Sequence, residues 1–210
     1  MKSLIIETCT EKSLVAISDS GVLVREIHMP PGLNSSSRIL PAIQEMCRTF
    51  APEYLTLTVG PGSYTGMRVG AAVAKMIAFS RNLPVVCLSS LQGFYIDEPH
   101  TALIDAKISG AYLLIDNEPK ALALEDLCPH LKEVIVTPNH KRLEPKFNAL
   151  FPDKKLLWKE SNPSASRLAL LGYEKYIQGD LSSPNHLSLL YLRKTQAEME
   201  LSEKRGGVLA

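Results

Sequence analysis

The glycine-rich segment at residues 60–70, with the sequence GPGSYTGMRVG, has the clearest chemical content in this chain. It contains four of the 12 glycines and lies between a predicted strand and a predicted helix. Glycine amides at the start of a helix can bind a phosphate group. A tight strand-to-helix turn capped by Ser63 or Thr65 would use the same residue types without a ligand. The residue types leave both interpretations open.

Familiar nucleotide and nucleophile motifs do not fit this segment. A Walker A loop would need Lys followed by Ser or Thr where Met67 and Arg68 stand. The GxGxxxG spacing is one residue longer than the dinucleotide-binding fingerprint. A GxSxG nucleophile elbow would need Ser in place of Tyr64, because Ser63 comes one residue too early.

Metal and thiol chemistry also finds little support. The five histidines lie at least ten residues apart, and neither HExxH nor CxxC occurs. These spacings argue against a metallopeptidase, a zinc knuckle and a dithiol redox centre. Asp105 and Asp116 each end a predicted strand and could bind a metal ion, but solvated strand ends explain them equally well.

The elements that position the glycine-rich segment follow from the residue pattern of the first half of the chain. The first three predicted strands have connections so short that they must form an antiparallel meander. The last strand has no polar face, which is typical of a parallel strand covered on both sides. The order is β-β-β-α-β-α-β, with elements at residues 4–6, 13–18, 22–28, 36–50, 54–59, 65–80 and 83–88.

The pattern of predicted elements changes near residue 98, and we place the domain boundary there. We predict an N-terminal subdomain, a smaller C-terminal subdomain and a flexible tail, at residues 1–98, 99–197 and 198–210. Short strands in the second part are expected at residues 102–105, 111–116, 134–137 and 155–158. A helix is expected to start with Asn162 as its N-cap and Pro163 at its first position, and to end before Gly179.

The helix at residues 65–80 carries two apolar stripes. The stripe of small residues consists of Gly66, Gly70, Ala71, Ala74 and Ala78. The stripe of bulky residues consists of Val69, Val73, Met76 and Ile77. A helix that only covers its own sheet needs a single stripe, so a second helix is expected to pack closely against it. That helix could be the one at residues 36–50 or one from a partner.

Composition excludes several classes of function. The chain has 210 residues, of which 45% are hydrophobic and 21% charged, so it can bury a sizeable core. Its net charge of +1 gives no broad field that would attract nucleic acid or an anionic membrane. The sequence contains neither an apolar run of membrane-spanning length nor a signal-peptide pattern. We therefore predict a cytoplasmic protein.

The glycine-rich segment resembles the GPGSFTGLRIG signature of the TsaB (YeaZ) family of bacterial tRNA threonylcarbamoyladenosine biosynthesis proteins. Other motifs of that family have counterparts in the same order, which are IDTST at residues 6–10, ExLLP at 37–41, VGVSSL at 86–91, IDA at 104–106 and YLR at 191–193. The resemblance extends over residues 6–193.

The resemblance implies an α/β actin-like ATPase fold (ASKHA, RNase-H-like) with two subdomains and a mixed five-stranded sheet in the N-terminal one. It implies a non-catalytic subunit that pairs with and activates the paralogous transferase TsaD, which the ATPase TsaE joins. The complex forms N6-threonylcarbamoyladenosine next to the anticodon of tRNAs that read codons beginning with A. ATP and metal are expected on the partner subunits, and tRNA is reached through the complex.

Some residues depart from the family pattern. In nucleotide-binding members of this fold, a glycine two residues after the first-strand Asp lets phosphates approach the backbone. Glu7 and Cys9 replace that Asp and that glycine. We therefore expect no cofactor on this chain and a degenerate phosphate loop of Glu7, Cys9, Gly60, Gly62 and Ser63. The alternative is a nucleotide-binding ATPase or phosphotransferase of the same superfold, with Glu7 or Asp105 holding magnesium.

Pairing in this family is expected to use the first two helices. The predicted partner interface consists of Ile39, Leu40, Ile43, Met46, Gly66, Met67, Gly70, Ala71, Val73, Ala74 and Ile77. Without the partner, a homodimer through the same helices is expected, because a self-complementary apolar face rarely stays exposed.

Overall fold

The computed structural model describes residues 1–30, 35–107 and 110–193. The tail predicted at residues 198–210 lies outside the described residues. The first sheet has five strands in the order β3-β2-β1-β4-β5. Its strands are β1 (Lys2–Glu7), β2 (Leu14–Asp19), β3 (Val22–His28), β4 (Tyr54–Thr58) and β5 (Val85–Leu88).

Strand pairing confirms the predicted mixed sheet. β1, β2 and β3 pair antiparallel, whereas β1 with β4 and β4 with β5 pair in parallel. The parallel strands need crossovers, which are supplied by α1 (Ser35–Met46) and α2 (Tyr64–Arg81). Asn82, in the left-handed region at φ 51°, ends α2. The predicted helix at residues 36–50 is four residues too long, because α1 ends at Met46.

Helices cover both faces of this sheet. α1 and α2 lie on one face, where Ile39, Ile43 and Ala74 pack among the strand residues. The other face is covered by α4 (Ala165–Ile177), which comes much later in the chain and packs Leu168 against that face. The N-cap of α4 is Ser164, whose hydroxyl accepts from the Arg167 amide, so the predicted cap at Asn162 is wrong. We call this sheet with α1, α2 and α4 the first lobe.

The second lobe contains two three-stranded sheets and one helix. One sheet has the order β11-β10-β6 and the other β7-β8-β9. Its elements are β6 (His100–Ala102), β7 (Ile104–Asp105), β8 (Ala111–Ile115), β9 (Glu118–Leu122), β10 (Val134–Thr137), α3 (His140–Leu150) and β11 (Leu157–Glu160). The sequence pattern missed β9 and α3, and it placed β11 two residues too early.

Apolar segments join the two lobes. Leu91 and Phe94, just after β5, are buried among residues of the second lobe. After α4 the chain returns along the first lobe, where Leu187 is buried, and Leu192 then packs against the second lobe. No helix within the described ranges combines the length and apolar character that crossing a bilayer requires.

Candidate functional site

The glycine loop at residues 60–66 packs directly against the turn between β1 and β2. The Ser63 amide donates to the Cys9 carbonyl oxygen at 2.6 Å, and the Thr8 hydroxyl donates to the Gly66 carbonyl oxygen at 2.8 Å. A β-carbon on Gly62 would lie 2.0 Å from the Cys9 carbonyl oxygen, and one on Gly66 would lie 2.0 Å from that of Thr8. Glycine is therefore required at both places by the close approach of two backbone segments.

The same loop also caps α2. The Ser63 hydroxyl accepts from the Gly66 amide at 3.3 Å, and the Ser63 carbonyl accepts from the Met67 amide at 2.9 Å. Because the Cys9 carbonyl already takes the Ser63 amide, that amide cannot also bind a phosphate in this conformation. Of the two interpretations that the sequence left open, the geometry favours the capped strand-to-helix turn.

Glu7, at the end of β1, is fully buried behind this turn. Its Oε1 accepts from the amides of Cys9 at 2.7 Å and Thr10 at 3.2 Å. Its Oε2 has no hydrogen-bond partner among the described residues. Burial raises the pKa of Glu7 from 4.5 to about 7, although the Thr58 side chain and the two amides partly offset the effect. Near neutral pH, Glu7 is therefore protonated in a substantial fraction of the molecules.

Cys9 fills the space next to Glu7. Its side chain is buried, and Sγ donates to the Thr58 carbonyl oxygen at 3.2 Å. Burial and, secondarily, the nearby Glu7 raise the pKa of this thiol well above its ordinary value. Cys9 is therefore a neutral, space-filling thiol and lacks the properties of a reactive nucleophile.

The β1–β2 turn also faces a polar cluster of the second lobe. Asp105 is buried there, and its Oδ2 lies 3.3 Å from Arg142 Nε. Arg142 and Asn139 both contact Glu11 of the turn. Sequence reasoning missed these three residues, because 128 residues or more separate Glu11 from its partners and no local pattern links them.

The acids considered as metal ligands do not meet. Asp105 pairs with Ala111 at the start of β8, whereas Asp116 is exposed just beyond the other end of that strand. Within the described residues, no three His, Cys, Asp or Glu side chains are grouped as a metal site would require.

Most of the predicted partner-contacting residues are buried in this chain's own core. The eight buried ones are Ile39, Ile43, Met46, Met67, Gly70, Ala71, Ala74 and Ile77. Leu40 is exposed, and Gly66 and Val73 are partly exposed. These eight residues are covered by the chain itself in this conformation, so the predicted interface would present mainly its exposed members, and it stays a prediction.

The small-residue stripe of α2 faces its own lobe. A β-carbon on Gly70 would lie 2.2 Å from the Thr8 hydroxyl, so its small size accommodates the β1–β2 turn and not a second helix. The bulky residues on the outer face are Met76 and Phe79, which are 53% and 75% exposed. Of the predicted bulky stripe only Met76 is exposed, because Ile77 is buried and Val69 and Val73 pack against the core. The outer face pairs Met76 with Phe79, which the sequence reasoning left out.

Comparison with known proteins gives consistent matches. The model of the family TsaD, tRNA N6-adenosine threonylcarbamoyltransferase, matches residues 32–116. The tRNA threonylcarbamoyladenosine biosynthesis protein TsaB of Escherichia coli is 31% identical over 53% of this chain and 53% of its own length. The match therefore spans about half of that relative. The protein of the same name from Bacillus subtilis is 26% identical over 98% of this chain and 100% of its own length.

Solved structures agree on the fold. YeaZ from Pseudomonas aeruginosa superposes with a TM-score of 0.73 at 21% identity, covering 91% of this chain and 99% of that one. A second solved structure, described as having similarity to peptidase YEAZ from Pseudomonas aeruginosa, gives the same TM-score at 22% identity. The predicted fold class, an α/β actin-like fold with a mixed five-stranded sheet, is confirmed.

Proposed function

We propose that this chain, which belongs to the TsaB/YeaZ family, takes part in tRNA threonylcarbamoyladenosine biosynthesis as a non-catalytic subunit that pairs with and activates a TsaD-like transferase. The names of its relatives support the pathway. The match to the TsaD family model over residues 32–116, which include α1 and α2, supports a partner that shares these two helices.

The exposed apolar surface of α1 and α2 is the observation that carries the pairing. Leu40 is 42% exposed, Met76 53% and Phe79 75%. Large apolar side chains exposed on helices are typical of a protein interface. We therefore assign the contact with the TsaD-like partner to these exposed side chains and not to the buried residues of α1 and α2. In isolation, a second copy of this chain would cover the same helices.

The closed glycine loop supports a non-catalytic role. The Ser63 amide is taken by Cys9, and Glu7 is buried without a hydrogen-bond partner for its Oε2 among the described residues. A nucleotide phosphate or its cation would have to displace the β1–β2 turn. We therefore place ATP and metal on the partner subunits, including a TsaE-like ATPase, and tRNA contact in the assembled cytoplasmic complex.

Co-expression with the cognate TsaD tests the proposal. The wild-type chain should co-elute with TsaD on gel filtration and raise its transferase activity. Phe79→Glu should abolish both effects while the isolated variant keeps its melting temperature, because a charge on the outer face of α2 opposes docking without touching the core. Ile177→Glu on α4 is the matched control, since Ile177 is also an exposed apolar residue, at 62%.

Two results would overturn the proposal. One is separate elution of the wild-type chain and TsaD, with transferase activity unchanged by mixing. The other is equal loss of pairing in Phe79→Glu and Ile177→Glu, which would place the contact elsewhere or make it non-specific.

A further inference from the structure

Positive charges flank the exposed apolar side chains near the C-terminal end of α2. Lys75 and Phe79 are four residues apart, so they lie on the same face of the helix, about 6 Å apart along its axis. Met76 is a neighbour of Phe79 on that surface, and Arg81 follows in the last turn. All four side chains are exposed. The apolar pair Met76 and Phe79 therefore has one cation on the preceding turn and another at the helix end.

The end of α1 adds a third cation. Burial raises the pKa of the Cys47 thiol, and the positive charge of Arg81 partly offsets that rise, so Arg81 lies near Cys47. Arg48 is the next residue after Cys47 and is exposed. We call Lys75, Arg81 and Arg48 the basic rim.

Acidic side chains of the same helices do not offset the basic rim. α2 contains neither Asp nor Glu, and the single acid of α1, Glu45, forms an ion pair with Arg25 of β3. Within the part of the chain that the structure describes, the three rim cations form no ion pair. The helix dipoles favour Arg81 and Arg48 at the ends of α2 and α1, but this effect is confined to the last turn and does not reach Lys75.

An apolar centre with a charged rim is the anatomy of a protein interface, in which the rim charges act mainly on the association rate and on specificity. A nucleic acid backbone would engage the cations but would leave Met76 and Phe79 without an apolar partner. A second copy of this chain would bring the same cations together, because a two-fold interface uses the same patch on both sides. The surface therefore fits a protein that carries acids around an apolar centre.

We propose that the basic rim selects a partner whose docking surface places Asp and Glu side chains around an apolar patch, and that this partner is the TsaD-like subunit. The inference rests on the proposed function, because it adds charge complementarity to the same surface of α1 and α2. Met76 and Phe79 supply the affinity. The rim speeds association with the acidic partner and disfavours self-association.

Association kinetics with the cognate TsaD, immobilised for surface plasmon resonance, test the basic rim. The association rate of the wild-type chain should fall by roughly five-fold or more between 50 and 500 mM NaCl. At 50 mM NaCl, Lys75→Gln should slow association by about two-fold and Lys75→Glu by about five-fold, because the first change removes a charge that the second reverses. At 500 mM NaCl the three rates should agree to within about two-fold.

Lys155→Glu is the matched control. Lys155 is exposed, lies in the second lobe just before β11 and forms no ion pair with another described residue. The variant changes the net charge of the chain by the same amount as Lys75→Glu, so it should associate within about two-fold of the wild-type rate. Both positions are exposed, and both variants should keep the wild-type melting temperature.

Failure of this inference differs from failure of the proposed function. If the wild-type chain and TsaD do not bind at either salt concentration, both are overturned. If they bind but Lys75→Glu associates as fast as Lys155→Glu, only the basic rim is refuted. The same holds if the wild-type chain self-associates at 50 mM NaCl as tightly as it binds TsaD. A complex of the isolated chain with tRNA that Lys75→Glu abolishes would also overturn the inference, because it would assign the rim to nucleic acid.

Discussion

The buried carboxyl of Glu7 should make the stability of this protein fall as the pH rises towards neutrality. Burial raises its pKa from 4.5 to about 7 in the folded chain. The folded state therefore holds this proton more tightly than the unfolded state does. Each pKa unit corresponds to about 1.4 kcal/mol, so ionising Glu7 within the fold costs about 3 kcal/mol. This stabilisation is fully present below pH 4.5 and is lost as the pH rises through about 7.

Glu7→Gln isolates the effect. Glutamine keeps an oxygen for the amides of Cys9 and Thr10 but cannot ionise. At pH 5, half a unit above the ordinary pKa, the free energies of unfolding of the two proteins should differ by less than about 1 kcal/mol. At pH 8 the variant should be more stable than wild type, by up to about 3 kcal/mol. Urea denaturation at half-unit pH intervals from 5 to 8.5 would measure the difference, with the m-value confirming that the unfolded states are alike.

The difference between the pH profiles of wild type and Glu7→Gln reports on Glu7 alone, because all other titratable groups contribute equally to both profiles. Glu174→Gln, at an exposed position on α4, is the control and should follow wild type over the whole range. Parallel profiles for wild type and Glu7→Gln would refute the reasoning. So would a wild type that gains stability over the variant between pH 5 and 8.

Two further predictions concern the glycine-rich segment at residues 60–70, in addition to the pairing experiments above. Gly70→Leu should lower the melting temperature of the isolated chain by several degrees, because its β-carbon would lie 2.2 Å from the Thr8 hydroxyl and overpacking costs about 1–3 kcal/mol. An unchanged melting temperature would contradict this prediction, because it would mean that the β1–β2 turn moves aside without an energetic cost. ATP with magnesium at millimolar concentration should leave the wild-type melting temperature unchanged, because the Ser63 amide is occupied by Cys9. A concentration-dependent rise would favour the nucleotide-binding alternative.

Local patterns predicted the first lobe well. β3 begins and ends at the predicted residues because a turn precedes an alternating stretch, and α2 was placed within one residue at each end. Both signals depend only on neighbours in sequence. The family resemblance then supplied the complete fold, which the solved structures confirm.

The misses in the second lobe and at the start of α4 have local physical reasons. Pro145 stands inside α3, and only Leu143 and Phe147 of that helix are buried, so its apolar periodicity is too weak to read. For α4, both Asn162 and Ser164 are residue types that can cap a helix. The Ser164 amide donates to the Gly93 carbonyl, and this contact with a distant segment fixes where the helix begins. A pattern of capping residues cannot decide this.

The candidate site was predicted only in part. Periodicity identified two apolar stripes on α2, but it cannot say which of their members face the lobe. Gly70 is covered by the β1–β2 turn and Ile77 is buried, whereas Met76 and Phe79 are exposed. The contact between Glu11 and Arg142 spans 131 residues. Only the folded chain brings these side chains together.

The late position of α4 in the chain has a consequence for how the protein is made. One face of the five-stranded sheet, including Ile5, Tyr54 and Val86, is covered by residues 165–177. During synthesis, that face stays without its cover until residues 165–177 have left the ribosome, whereas the strands and the helix of the second lobe are encoded contiguously at residues 100–160. Domains fold as units when their residues have emerged. The strands and the helix of the second lobe can therefore form before α4 covers the first lobe, which matures last although its strands are made earliest.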